Sequence, residues 1–119
     1  MQTILIVDDE DAFRRGIAGA LADEGYTVLE AQDGLEGVEM ATTHVPDLVI
    51  TDVQMDNMNG FMMVDELRQN EVTSLIPVII MTGVVSISGA WKTSASVEYL
   101  EKPFDLNDLL QLVQKILKK

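Results

Sequence analysis

The fold of this chain is decided by the stretch Pro46-Asp47-Leu48-Val49-Ile50-Thr51-Asp52. It is a short run of apolar and β-branched residues that follows a proline and ends in a carboxylate. Such a run is typical of a strand buried on both faces, as in a parallel sheet. Ligands of open parallel α/β sheets bind outside the carboxyl ends of the strands, so Asp52 is a candidate functional residue. The strand alone also allows Asp52 to be no more than the cap of the following turn.

Segments typical of strands and helices alternate along the rest of the chain. Further strands are predicted at 3–7, 27–31, 77–82 and 97–101. Four helices are predicted. Asp33 and Glu36 have the spacing of a capping box, which predicts the start of the second helix. Helical spacing of apolar residues predicts the other three: the first carries Phe13, Ile17, Ala20 and Leu21, the third begins at Gly60 and carries Phe61, Val64 and Leu67, and the last carries Leu106, Leu109, Leu110, Val113, Ile116 and Leu117. The segment 84–96 is rich in Ser, Thr and Gly, so we expect a short or irregular fifth helix there.

Five strands alternating with helices predict an α/β fold with parallel pairing through right-handed crossovers and helices on both faces. The two most apolar strands, the third and the fourth, are expected at the centre. The favoured arrangement is a doubly wound five-stranded sheet of order 2-1-3-4-5, formed by one domain over 1–119. This order places Asp8 and Asp9, which follow the first strand, beside Asp52.

The composition limits the possible partners and location. Eight basic and twenty acidic residues give a net charge of −12, which opposes binding to nucleic acid phosphates. No apolar stretch approaches the roughly 20 residues of a membrane span, and the first residues do not resemble a secretory signal. The chain has no cysteine, which fits a reducing compartment. We therefore expect a soluble cytoplasmic protein that binds neither membrane nor nucleic acid.

Three carboxylates gathered at one sheet end repel one another unless a cation lies among them. Asp8, Asp9 and Asp52 offer few ligands and leave room for water and phosphate oxygens, which favours Mg²⁺ over Ca²⁺. The only histidine, His44, is expected on the surface, so the sequence gives no indication of a zinc site.

Two further polar residues are expected at the same end of the sheet. Thr82 ends the fourth strand and Lys102 follows the fifth. An ammonium and a hydroxyl that face a magnesium site can bind a phosphoryl group. Asp52 could then act as the nucleophile and form an aspartyl phosphate.

These motifs resemble the response-regulator receiver domain of two-component signalling, the CheY-like family with a flavodoxin-like fold, over essentially the whole chain. The resemblance lies in Ile4-Leu5-Ile6-Val7-Asp8-Asp9-Glu10, Asp52, Thr82-Gly83, Tyr99 and Lys102-Pro103-Phe104. It implies that Asp9 ligates Mg²⁺ directly and Asp8 mainly through water, together with Asp52 and the backbone carbonyl of Gln54. It further implies that Pro103 follows a cis bond, and that the side chains of Gln54 and Val84 set the lifetime of the phosphate.

The resemblance also implies a function. Asp52 is the expected phospho-acceptor for a histidine kinase or phosphotransfer protein, with Thr82 and Lys102 as phosphate-contacting residues. Thr82 moves toward the phosphate and Tyr99 turns inward, which shifts the surface around strands four and five. Such a domain is no enzyme beyond its own phosphorylation and dephosphorylation. Its expected partners include an output domain or downstream protein and, on phosphorylation, a second copy.

The chain departs from the family pattern in the loop after Asp52, where Asp56 replaces a frequent proline, and in a slightly short interval from Thr82 to Lys102. That interval contains Trp91, a candidate partner contact. Four methionines crowd the region after Asp52 and either fill core gaps, which we favour, or form an adaptable surface: they are Met55, Met58, Met62 and Met63.

Three other functions fit parts of the pattern. A Mg²⁺-dependent aspartyl-phosphate phosphatase of the haloacid dehalogenase type would have a second acid two residues after the nucleophile, where this chain has Gln54. A flavodoxin-type electron carrier would have a glycine- and hydroxyl-rich loop after the first strand, where this chain has acids. A receiver-like scaffold that does not switch would not need the intact site residues.

Overall fold

The structure, a computed structural model, describes residues 2–53, 55, 58–82, 97–102 and 104–117. Its strands are β1 (Thr3–Val7), β2 (Thr27–Ala31), β3 (Leu48–Asp52), β4 (Val78–Thr82) and β5 (Val97–Glu101). Its described helices are α1 (Asp11–Asp23), α2 (Gly34–His44), α3 (Gly60–Gln69) and α4 (Leu106–Leu117). The additional helix expected over 84–96 lies outside the described residues.

The five strands form one parallel sheet in the order β2-β1-β3-β4-β5, which confirms the predicted topology. In the register of this sheet, Val7 at the end of β1 pairs with Thr51 on β3 and with Ala31 on β2. The residues that follow β1 therefore lie next to the end of β3.

The two central strands are the most buried, as their composition predicted. All five residues of β4 are buried, and in β3 only Asp52 is partly exposed. Alternate residues of each strand contribute to two separate cores, because successive side chains of a strand point to opposite faces. Ile4 and Ile50 pack with α1 and α4 on one face, whereas Leu5 and Val49 pack with α3 on the other.

Side-chain caps fix the starts of α2 and α3. The Asp33 side chain accepts a hydrogen bond from the Glu36 N–H at 2.9 Å, which confirms the predicted N-cap. The Glu36 carboxylate accepts from the N–H of Gln32 at 2.6 Å, one residue before the position expected in a capping box. Asn59, which sequence reasoning missed, caps α3 by accepting from the Met62 N–H at 2.8 Å.

Helix α2 ends before Pro46, as expected. Val45 has φ 46° and ψ 67°, and its N–H donates to the Ala41 carbonyl. This left-handed conformation closes a helix end, although glycine usually occupies the position and a β-branched residue is strained there. Pro46 follows directly and lacks the N–H that a continued helix would need.

Two residues of the predicted apolar helix faces lie outside the cores. Leu106, placed on the apolar stripe of the last helix, is 44% exposed. Ala20 is only partly buried, and Ala18 lies in the core instead, beside a buried Arg14. Helical spacing identifies an apolar face but not its edges, because these depend on where the neighbouring elements end.

The methionines and the histidine follow the favoured interpretations except at one position. Met63 is fully buried, and Met55 and Met58 pack against the core that includes Val49. Met62, in contrast, is 51% exposed. His44 is exposed, as predicted. None of the described helices reaches the length and apolarity needed to cross a bilayer.

Candidate functional site

Asp52 is the last residue of β3, and it lies at the edge of the sheet formed by the carboxyl ends of the strands. Its Oδ1 accepts a hydrogen bond from the Val53 N–H at 2.8 Å, and its Oδ2 lies 3.3 Å from the Lys102 Nζ. The side chain is 16% exposed, so solvent still reaches it. A role as the cap of the following turn explains only one of the two Asp52 oxygens. Oδ1 accepts the hydrogen bond from Val53 N–H, whereas Oδ2 faces the Lys102 ammonium.

Lys102 is held between a carboxylate and an aromatic ring. Its Nζ lies 4.7 Å from the centroid of the Phe13 ring, a cation–π distance, and the Phe13 and Phe104 rings meet edge to face at 6.3 Å. These three side chains and Glu10 line a cleft of about 430 Å³. The lysine therefore borders both Asp52 and an open space that a ligand can enter.

Asp8 is buried at the end of β1, with 1% of its surface exposed. Its Oδ1 accepts from the Glu10 N–H at 2.9 Å, whereas its Oδ2 is buried with no hydrogen-bond partner within the part of the chain described. Burial raises the pKa of the Asp8 carboxyl, and the negative charges of Asp52 and Asp9 act in the same direction. A buried carboxylate oxygen without a partner is costly unless a cation binds it.

The expected magnesium ligands are only partly assembled. Asp8 and Asp52 are close enough to interact electrostatically, and Asp9 is exposed beside them. No three Asp, Glu or His side chains of the described residues converge on one metal position. The unsatisfied Asp8 Oδ2 and the hard oxygen donors nevertheless fit a divalent cation such as Mg²⁺.

Thr82 ends β4 at the same edge of the sheet, and it is buried with 2% exposure. Its backbone carbonyl accepts a hydrogen bond from the Lys102 N–H at 2.7 Å. The predicted hydroxyl and ammonium residues are thus joined through their main chains, at the ends of β4 and β5.

Tyr99 lies on β5 opposite Ile80 and is partly buried against the core that includes Val49 and Val97. Its hydroxyl oxygen is buried without a hydrogen-bond partner in the described structure, and burial raises the pKa of the phenol. The Tyr99 ring therefore packs inward, while its hydroxyl is unsatisfied within the described residues.

Gly60 brings the start of α3 against the backbone of Asp52. Its N–H donates to the Val53 carbonyl at 2.9 Å. A Cβ at this position would overlap the Asp52 carbonyl oxygen, coming closer than real Cβ atoms do. The approach needs a residue without a side chain, which explains a glycine at the first helical position.

Several predicted residues lie outside the described residues. They are Gln54, expected as a metal ligand and determinant of phosphate lifetime, Val84, expected in the latter role, and Asp56, Gly83, Trp91 and Pro103. The structure brings together the other predicted residues as far as they are described: Asp8, Asp9, Asp52, Thr82 and Lys102 all lie at the carboxyl edge of the sheet.

Sequence reasoning missed two contributors to this edge. Phe13 was assigned only to the apolar face of α1, yet its ring also contacts Lys102. Arg14 is 4% exposed and donates to the Asp8 carbonyl. The only signal for Arg14 was its spacing of three residues from Asp11, with which it forms an ion pair, and such pairs usually lie on the surface.

The chain matches known proteins over almost its whole length. A family model described as response regulator receiver domain matches residues 4–114. Protein PilH of Pseudomonas aeruginosa is 36% identical over 98% of this chain and 98% of its own. The chain spans only 25% to 54% of the length of other curated relatives, including a DNA-binding transcriptional regulator that is 34% identical.

Solved structures agree with these matches. The chemotaxis response regulator CheY4 of Vibrio cholerae is 31% identical and superposes with a TM-score of 0.89, covering 98% of both chains. The receiver domain of the sensor histidine kinase PA1611 of Pseudomonas aeruginosa, solved with magnesium coordinated in its active-site cleft, is 25% identical with a TM-score of 0.86, covering 99% of this chain and 98% of its own. The chain belongs to the response regulator receiver domain family.

Proposed function

We propose that Asp52 accepts a phosphoryl group from a histidine kinase or phosphotransfer protein in a magnesium-dependent reaction, and that this modification switches the surface around β4 and β5. Receiver domains of response regulators are in general phosphorylation-dependent switches. The observation that carries the proposal is the partly exposed Asp52 carboxylate with its Oδ2 3.3 Å from the Lys102 ammonium.

In the proposed reaction, Asp52 Oδ2 attacks the phosphorus of a phosphohistidine. The bond from phosphorus to the donor nitrogen breaks, its electron pair stays on that nitrogen, and an acyl phosphate forms on the aspartate. A carboxylate nucleophile needs no general base for this step. Lys102 lies beside the attacking oxygen, so its ammonium can follow the phosphoryl group and neutralise part of its charge.

The residues that would hold Mg²⁺ are Asp8, Asp9 and Asp52, with the backbone carbonyl of Gln54. The bound cation supplies positive charge that offsets the repulsion between the carboxylates and the incoming phosphoryl group. Support comes from the buried Asp8 Oδ2, which has no hydrogen-bond partner among the residues described, and from the magnesium in the related PA1611 receiver domain.

The proposed switch uses Thr82 and Tyr99. The hydroxyl of Thr82 is drawn to the phosphoryl oxygens, and Tyr99 occupies the space that this movement leaves. Reversal of a two-state population from 1:99 to 99:1 needs about 5.5 kcal/mol. Charge-assisted hydrogen bonds of about 1.5–3 kcal/mol each can provide much of it. The side chains of Gln54 and Val84 are proposed to set how long the phosphate persists.

The proposed partners follow from the relatives. A histidine kinase or phosphotransfer protein is the donor, and an output domain, a downstream protein or a second phosphorylated copy receives the signal. Relatives of both kinds exist, since PilH matches over nearly its full length and other relatives are about twice as long as this chain. We place the reaction in the cytoplasm, in keeping with a sequence that has no cysteine.

The experiment that tests this function is incubation with acetyl phosphate, with Mg²⁺ or with EDTA, followed by intact mass measurement and peptide mapping. We expect one phosphoryl group on Asp52 that depends on the metal. Beryllofluoride with Mg²⁺ should change Trp91 fluorescence in the wild type, and Thr82→Ala should accept phosphate while losing most of that change.

Two results would contradict the proposal. A protein that stays unmodified with donor and Mg²⁺ in excess would be a receiver-like scaffold that does not switch. Sustained turnover of p-nitrophenyl phosphate would instead indicate a phosphatase, and we expect that turnover to be negligible.

A further inference from the structure

Arg14 is a charged side chain in the interior of the protein, and each of its guanidinium nitrogens has a partner. Its Nη1 donates to the Asp8 backbone carbonyl at 2.8 Å, its Nη2 lies 2.9 Å from Asp11 Oδ1, and its Nε donates to Glu30 Oε1 at 2.9 Å. Only 4% of the residue is exposed. Arginine is almost never buried to this extent without such partners.

These three contacts belong to three different elements of the fold. Asp8 follows β1, Asp11 begins α1, and Glu30 lies on the edge strand β2. The planar guanidinium presents its donors in a fixed geometry, so one side chain sets the relative positions of all three elements. The bond to the Asp8 carbonyl is itself buried, where water cannot replace it.

Asp8 is restrained at every polar atom except one. Its N–H donates to the Ala31 carbonyl at 3.1 Å, its carbonyl accepts from Arg14, and its Oδ1 accepts from the Glu10 N–H. Only Oδ2 has no hydrogen-bond partner among the described residues, and it is the oxygen available to a cation. The main chain of Asp8 is thus fixed on both sides while one carboxylate oxygen stays available.

We propose that Arg14 is a positioning residue of the magnesium site, which holds Asp8 in its cation-binding position through the backbone carbonyl. This inference rests on the proposed function, since it needs a cation beside Asp8 and Asp52. The Arg14 side chain is bonded to Asp8, Asp11 and Glu30, and in this proposal it contacts neither the phosphoryl group nor the cation. Partners that orient metal ligands from outside the coordination shell typically change metal affinity by 10- to 100-fold.

The sign of the effect separates positioning from charge. Arg14 is a cation close to a site that binds a cation, so its charge alone weakens Mg²⁺ binding, and removal of that charge would tighten it. If Arg14 positions Asp8, its removal instead weakens binding. The two explanations therefore predict opposite changes in the dissociation constant.

The test compares Mg²⁺ binding by isothermal titration calorimetry in the wild type, Arg14→Met and Arg15→Met. Methionine keeps an apolar stem in the buried position. Arg15 is the exposed neighbour with the same charge, so Arg15→Met measures the effect of charge. We expect the dissociation constant of Arg14→Met to rise about 10-fold and that of Arg15→Met to stay equal or fall.

Variants of Glu30 keep the test valid if Arg14→Met does not fold, as circular dichroism in EDTA would show. Glu30→Gln retains an oxygen acceptor for Arg14 Nε and should bind Mg²⁺ within about twofold of the wild type. Glu30→Ala removes that anchor and should weaken binding, in the same direction as Arg14→Met. Equal binding by Glu30→Ala and Glu30→Gln would count against positioning.

Failure of this inference differs from failure of the proposed function. Arg14→Met that binds Mg²⁺ as tightly as Arg15→Met overturns the positioning role alone. A wild-type protein that binds no Mg²⁺ overturns the magnesium-dependent function, and this inference with it.

Discussion

One aspartate, Asp47, directly precedes β3 and another, Asp52, is its last residue, and their carboxylates have different roles. At the amino end, Asp47 exchanges two bonds with Thr3: its Oδ2 accepts from the Thr3 N–H and its N–H donates to the Thr3 carbonyl, both at 2.8 Å. At the carboxyl end, Asp52 faces Lys102, and Asp8 has an oxygen that accepts no hydrogen bond from the residues that the structure describes.

The comparison of the two aspartates shows that the same side chain has a structural role before β3 and is available for chemistry at its carboxyl end. Bonds to the neighbouring main chain use the Asp47 carboxylate, so that residue serves structure. In the function proposed above, Asp8 and Asp52 instead keep oxygen atoms for a cation and a phosphoryl group, at a cost in stability to the metal-free protein.

The largest effect is expected for Asp52→Asn. An amide cannot act as the nucleophile, so incorporation of phosphate from acetyl phosphate should fall to background in intact mass spectra. The matched control is Asp65→Asn, an exposed acid of α3, which should be phosphorylated like the wild type. Persistent full phosphorylation of Asp52→Asn would place the acceptor elsewhere.

Gly60→Ala should have the next largest effect. The new Cβ would clash with the Asp52 carbonyl oxygen, and overpacking of this kind typically costs about 1–3 kcal/mol. Urea unfolding should show that loss. Gly19→Ala serves as the control, because a Cβ there would meet no described atom within 4 Å apart from its chain neighbours and its own helix backbone. Alanine at this position should stabilise the helix by about 0.5–1 kcal/mol. A neutral Gly60→Ala would mean that α3 moves easily away from the site.

Asp8→Asn should stabilise the metal-free protein by about 1 kcal/mol at pH 7. Burial and the charge of Asp52 raise the pKa of Asp8 above its ordinary value of 3.8, so the folded state binds the proton more tightly than the unfolded state does. Its contribution to stability is therefore greatest below pH 3.8 and falls as the pH rises through the higher folded pKa.

The pH dependence of urea unfolding in EDTA checks this prediction. The advantage of Asp8→Asn should grow with pH above 3.8 and vanish in acid, where Asp8 is protonated in both states. Added Mg²⁺ should stabilise the wild type by mass action and the variant much less. An advantage that is the same at every pH would have another cause.

The smallest effect is expected at the other end of β3. Asp47→Asn keeps an oxygen that can accept the Thr3 N–H bond and loses only the charge of an exposed acceptor, which should cost about 0.5 kcal/mol. Phosphorylation and Mg²⁺ affinity should be unchanged. A marked loss of either would show that the two ends of the strand are coupled.

Most of the site could be predicted because its residues end strands. The apolar runs before Asp8 and Asp52 fix where β1 and β3 end, and the parallel order then brings these residues to one edge. Lys102 and Thr82 follow by the same reasoning from β5 and β4. The central position of β3 and β4 could also be predicted, since the composition of both strands indicates burial on both faces.

The supporting residues could not be predicted because their roles depend on neighbours distant in sequence. Phe13 has the spacing of a core residue, and nothing local shows that Lys102 lies over its ring. Arg14 is charged, and a charged residue in a helix is expected in solvent unless its buried partners are known. The clash at Gly60 depends on the path of the Asp52 backbone, which only the folded chain defines.

The hydrogen bond from the Lys102 N–H to the Thr82 carbonyl, at 2.7 Å, has a mechanical consequence. Thr82 and Lys102, the two residues proposed to contact the phosphate, are joined by this main-chain hydrogen bond. A displacement of the end of β4 therefore also displaces the main chain of Lys102. The Lys102 ammonium then stays beside Asp52 only if the lysine side chain changes its conformation. The distance over which Thr82 can move is therefore limited by the conformational freedom of the Lys102 side chain.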